Sequence, residues 1–263
     1  SRRRLALFSL SVVLGIAALV AIGSFGANLR VAIDDQARGL LGADLVITSR
    51  QTIAPAVWAH IATVGGEQAK EVAFSSMMVF PGADGINRTR LVQVRAVEGR
   101  FPFYGEFLTE PTAAAARLAR GEPVVILEET LLNQYGVRHG DTVRLGQVTF
   151  MVIGTVLKVP GESVAVTQLA PRAFIPLAQL EATQLAGPGS LVRHRVALKL
   201  PPGSDALAIE RNMRAKFVAE RLGYDTVEER KRDLGRALDN VNAFLSLVGF
   251  VALFLGAIGV ASA

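Results

Sequence analysis

Three histidines, His60, His139 and His194, are the side chains best suited to metal ligation or proton transfer near neutral pH, and cysteine is absent. None of them lies in an H-E-x-x-H or comparable ligand spacing, which argues against a metal centre. His139 precedes Asp141 in RHGDT, and that proximity could support acid–base work. A polar loop with no defined partner geometry reads instead as a solvated turn. The acidic pairs Glu128-Glu129 and Glu228-Glu229 are expected to point opposite ways on helices, as solvated faces. Neither a G-x-S-x-G nucleophile elbow nor a G-x-x-x-x-G-K-[ST] phosphate loop occurs. The chain is therefore expected to hold no catalytic residue, no metal and no cofactor of its own.

What would position any chemistry is dominated by two apolar runs. Leu5 to Leu29 and Ala243 to Ala263 carry no charge, and each reaches the roughly 20 residues a membrane-spanning helix needs. The first run exceeds the apolar core of a signal peptide, about 7–15 residues, so it reads as an uncleaved anchor. Arg2, Arg3 and Arg4 precede it, and the positive-inside rule then places the N-terminus in the cytoplasm and residues 30–242 on the opposite face, outside the cell membrane or in a periplasm. A chain that opens at Ser1 and stops inside an apolar run is expected to be a segment of a longer protein.

The formal charge of +5 is misleading as a sign of nucleic-acid binding. Setting aside the N-terminal arginines leaves 25 Lys and Arg against 23 Asp and Glu between the two runs. That is too small an excess to neutralise a phosphate backbone.

The first run continues as a helical pattern with Ile33, Ala37, Leu40 and Leu41 on one face, and Gly42 is a plausible C-cap. VEERKRDLGRALDNVNAF leads into the second run with Leu234, Ala237 and Leu238 as its apolar positions. Residues 1–42 and 229–263 are thus expected to be two spanning helices with stalk extensions. The stalk residues named are the expected route of coupling. Within the spans, Ser11, Gly15 and Gly23, and Gly249, Ala252 and Gly256, form rows of small side chains that permit close helix packing in lipid.

Between the stalks the patterning predicts strand 44–49, helix 55–64, strands 70–80 and 89–97, then strand 191–200, helix 205–222 and strand 224–227. The order βαββ…βαβ is close to a split ferredoxin-like unit, over residues 43–100 and 190–228. Residues 101–189 read as an inserted, mostly β subdomain with a short Ala-rich helix at 112–120. There the alternation of Val148, Phe150 and Val152 marks a half-buried sheet. The fold class expected is α+β.

Four stretches carry a family resemblance: LLGADLVITS, VVILEETLLNQYGVRHGDTVRLGQVTFMVIGTVLKVPG, APRAFIPLAQLEATQLAGPGSLVRHRV and FLSLVGFVALFLGAIGVASA. Together they resemble the FtsX-like, MacB-type ABC transporter permeases, and within them the large ten-span subgroup associated with lysophospholipase or lipid-handling genes. The resemblance implies a MacB-like periplasmic core domain in the bacterial inner membrane and a separate cytoplasmic ABC ATPase dimer that binds the ATP. It also implies further spans of the same permease, a lipid-like or hydrophobic substrate, and in some members a periplasmic partner protein. The rival reading is a bitopic membrane sensor with a periplasmic ligand-binding domain. A signalling segment after Ala263 would favour it, whereas further spans would favour the permease.

Overall fold

In the computed structural model, residues 37–82, 85–160, 171–187 and 190–232 are described, with Val20, Ser24, Ala243, Phe244, Leu247 and Phe250. The packing rows Ser11, Gly15, Gly23, Gly249, Ala252 and Gly256, and the stalk positions Ile33, Leu234, Ala237 and Leu238, lie outside the described residues. Among the described residues no helix is long and apolar enough to cross a membrane. Two units divide the chain, 1–37 with 228–263, and 38–227. In the first, every described residue is helical.

The second unit is an α+β domain. Its strands are β1 (Leu45–Ser49), β2 (Glu67–Phe80), β3 (Arg88–Glu98), β4 (Leu108–Glu110), β5 (Val124–Glu128), β6 (Thr142–Leu145), β7 (Val148–Lys158), β8 (Arg172–Pro176), β9 (Arg193–Lys199) and β10 (Gly223–Thr226). Its helices are α1 (Pro55–Val64), α2 (Ala114–Leu118), α3 (Glu129–Tyr135), α4 (Leu180–Thr183) and α5 (Ala206–Lys216). Local chemistry sets several ends. Pro55 opens α1 at a position where its missing N–H costs nothing. Asp205 caps α5 by accepting from the Ala208 N–H at 3.0 Å. Gly136 ends α3 in the left-handed region that glycine adopts freely.

One edge of the sheet runs β10-β1-β9-β2, antiparallel throughout. This is the ferredoxin-like order, with β9 rather than β3 as the third strand of the unit. Helices α1 and α5 cover one face of it, burying Val57, Ile61 and Met213 against Leu45, Ile47, Val196 and Leu198. The interruption therefore falls directly after β2, and β3 to β8 are inserted there.

The inserted strands do not leave that sheet. β2 has 14 residues, about 48 Å at strand rise, enough for two partners along one edge. Glu67 to Ala73 pair with β9, whereas Met78 and Val79 pair with β6. The path β2-β3-β8-β5-β7-β6 then returns to β2, a closed ring of six strands. Inside it lie Phe74, Met78, Phe80, Val94, Leu127, Phe150 and Val152, with Tyr135 stacked on Phe80 at 4.4 Å. Residues 43–100 and 101–189 consequently share β2 and β3 as walls of both parts. The alternation along β7 holds at its start, with Met151 outward and Phe150 and Val152 inward. From Val152 to Val156 both faces are buried, because α2 covers the outside with Ala114 and Leu118.

Glu128 departs from the expectation of a solvated helix face. It ends β5, only 8% exposed, and its carboxylate accepts from the Arg172 backbone N–H at 2.9 Å and from the Arg172 Nη2 at 3.2 Å. VVILE is buried throughout, so the strand carries its last residue inward. Glu228 is half-buried rather than solvated.

Candidate functional site

Neither sequence-predicted acid–base group gains a catalytic partner. Asp141 accepts from the Arg138 backbone N–H at 2.8 Å, and the His139 Nε2 lies 3.0 Å from the Thr155 hydroxyl instead. His60 packs edge-on against Phe217 with Lys216 nearby. Among the described residues no group of His, Asp or Glu could hold a metal ion. Burial depresses the His194 imidazole below its ordinary value of 6.5. The unfolded chain then binds a proton that the folded chain resists, so stability rises with pH and is lost as pH falls below about 6.5. Acid titration of the unfolding midpoint from pH 8 to 5.5 is expected to show this loss, and His194→Gln to flatten it. An unchanged slope in the variant would refute the assignment.

What the sheet does assemble is a charged row on the face away from α1 and α5. Period-two alternation sends Val72 and Phe74 to one side of β2 and Glu71 to the other. Register places Arg195 of β9 directly opposite Glu71 on one flank and Val97 of β3 on the other. Arg95, one pleat along β3, stands opposite Phe174 of β8. The Arg95 guanidinium closes on Glu71 in a fork, Nε to Oε1 at 2.9 Å and Nη2 to Oε2 at 2.8 Å, and both side chains are under a tenth exposed. Arg195 adds a longer approach to Glu71 at 3.7 Å.

Above this row lies an apolar cleft of about 420 Å³, within the range of small-molecule sites. Val97, Phe101, Phe107, Leu118, Val159 and Phe174 line it, with Glu71 and Arg95 also at its wall. Phe107 and Phe174 meet at 5.0 Å, and Arg95 lies over Phe174 at 5.2 Å. The carboxylate is fork-paired and the exposed Arg100 is the further charged residue of a mostly apolar lining, so the cleft suits an apolar group.

The end of the helix at 37–41 abuts the same region. Of the expected stalk residues, Ala37 and Leu41 are buried and Leu40 faces out, 41% exposed. Gly42 turns the chain at φ +72, and a Cβ there would sit 2.9 Å from the Phe101 ring. Gly105, at φ +80, comes so close that a Cβ would lie 2.7 Å from the Gly39 carbonyl oxygen. The Phe103 N–H donates to the Gly42 carbonyl at 2.9 Å. Asp44 accepts from the Tyr104 hydroxyl and the Leu200 N–H, each at 2.9 Å, with Arg38 at 3.6 Å. The helix end is thus held by the loop after β3 and by β9. The sequence signals for this joint were Gly39, Gly42 and Gly105, of which only Gly42 was legible as a cap.

These features define a class: an α+β domain built on an interrupted ferredoxin-like sheet, gripping the end of the helix that leads into it. Residues 5–216 match the family model of the MacB-like periplasmic core domain, and the chain belongs to that family. It is 26% identical over 256 residues to YbbP, an uncharacterized ABC transporter permease of Escherichia coli (strain K12). That match takes in 97% of this chain and 30% of the relative's length. Among solved structures, the periplasmic region of MacB from Actinobacillus actinomycetemcomitans is 14% identical, with a TM-score of 0.47, covering 77% of this chain and 97% of that one.

Proposed function

We propose that this chain is the periplasmic core domain, with its flanking helices, of an inner-membrane ABC transporter permease. In this reading a separate cytoplasmic ATPase dimer binds and hydrolyses ATP. The permease carries the resulting motion through its stalks to the external domain, which exports or extracts a lipid-like or hydrophobic substrate. Family membership over residues 5–216, beside a permease relative matched over 97% of the chain, is the observation that supports the reading most. The grip on the helix end at Gly42 supports the mechanical part, since rigid elements joined without slack convert small shifts into domain movement. The apolar cleft supports the substrate class. Each aliphatic CH₂ buried there would contribute about 0.8 kcal/mol.

Topology provides the test. A reporter fused after Arg120, an exposed position at the end of α2, is expected to be active only in its extracytoplasmic form. The full-length permease should also co-purify with an ABC ATPase. A cytoplasmic signal at Arg120 would overturn the scheme.

A further inference from the structure

We infer that Arg195 is a latch through which the helix end and the phenylalanine-lined cleft sense one another, an inference that rests on the permease reading only for its role in transport. One guanidinium makes three contacts on different elements. Its Nη2 donates to the Leu41 carbonyl at 3.1 Å, across 154 residues of sequence. Its Nη1 lies 3.7 Å from Glu71 Oε2 on the neighbouring strand. Its Cζ stands 4.6 Å from the centre of the Phe101 ring, within cation–π range.

Each contact leads somewhere distinct. The Leu41 carbonyl belongs to the last turn of its helix, where carbonyls lack intrahelical donors and a cation is favoured by the helix dipole. Glu71 is the carboxylate that Arg95 grips, and Arg95 in turn lies over Phe174. Phe101, Phe174, Glu71 and Arg95 all line the cleft. A molecule filling the cleft would press on Phe101 and Phe174, the two rings against which the arginines rest. Because the guanidinium is a rigid planar fork, its contacts cannot all adjust independently. Moving Phe101 therefore changes the hold on Leu41, and pulling Leu41 changes the shape of the cleft. Coupling of this kind is reciprocal by thermodynamic necessity.

The test is a double-mutant cycle on the full chain in lipid nanodiscs, read by amide hydrogen exchange over residues 38–44. Ala119→Phe places a ring in the cleft from an exposed lining position, as a stand-in for an occupant. Arg195→Gln removes the charge-assisted bond, and exchange in 38–44 is expected to quicken roughly tenfold. Ala119→Phe should alter exchange in 38–44 while Arg195 is present and have little effect in the Arg195→Gln background. If Arg195→Gln fails to fold, Arg195→Lys carries the cycle, since it keeps the charge but loses the fork. Wild-type exchange in the Arg195 variant, or an equal effect of Ala119→Phe in both backgrounds, would overturn the latch. Repeating the measurement with the ATPase and a non-hydrolysable ATP analogue separates the two readings. Absence of any nucleotide effect on the wild-type complex would count against the permease reading, and the nucleotide-free cycle would still decide the latch.

Discussion

Replacing Arg95 with Met is expected to destabilise the domain by up to about 3–5 kcal/mol, the usual cost of breaking a buried ion pair, less whatever Arg195, 3.7 Å from Glu71, compensates. For a domain of this size that is a fall of roughly 6–20 °C in the thermal midpoint. Glu71→Leu should cost at least as much, because it removes the carboxylate that both Arg95 and Arg195 approach, on a sheet face where Arg95 is almost wholly buried. The double variant Glu71→Leu/Arg95→Met should recover most of the loss, since well-packed apolar groups often replace a buried pair without penalty. Calorimetry on the four proteins checks this. Near-additive losses in the double variant would mean that the residues act separately and that the row is not a unit.

Transmission gives the second large effect. In the stalk helix expected from the sequence, proline at Ala37 would remove a backbone donor and clash with the preceding turn, at a cost of roughly 3 kcal/mol. If motion enters the domain along this helix, the coupled equilibrium shifts by about two factors of ten. Ala237, outside the described residues, is the position the sequence reading offers on the expected returning stalk. In the full-length protein with the ATPase that the permease reading proposes, either proline is expected to leave expression, assembly and basal ATP hydrolysis near wild type. Substrate movement, or activation of an external partner, should fall by about 100-fold. The domain keeps its three apolar clusters within residues 38–227, so its own unfolding transition should persist. Undiminished substrate movement in both variants would show that the stalks are not the path.

Much of this protein's local architecture is written in neighbouring residues. Pro55, Asp205 and Gly136 set helix ends through their own backbone chemistry, and period-two alternation announced β7 and its hairpin with β6. The α+β class, an interrupted βαββ…βαβ order and the two long uncharged runs followed from those signals, although the sequence placed the break after β3 and the sheet places it after β2. Nothing local could reveal that β2 serves two partners along one edge, or that β6 returns to close a ring. Those pairings depend on register between segments some 65 residues apart. Glu128 was misread for the same reason: a carboxylate beside another carboxylate looks solvated until tertiary pairing brings Arg172 to it. Glu71, Arg95 and Arg195 carry no motif in their spacing. Strand pairing alone put them on one face, beside three phenylalanines from two segments and against the last carbonyl of an incoming helix. A site built from single residues on several strands has no contiguous sequence to read, so only the folded sheet could decide it.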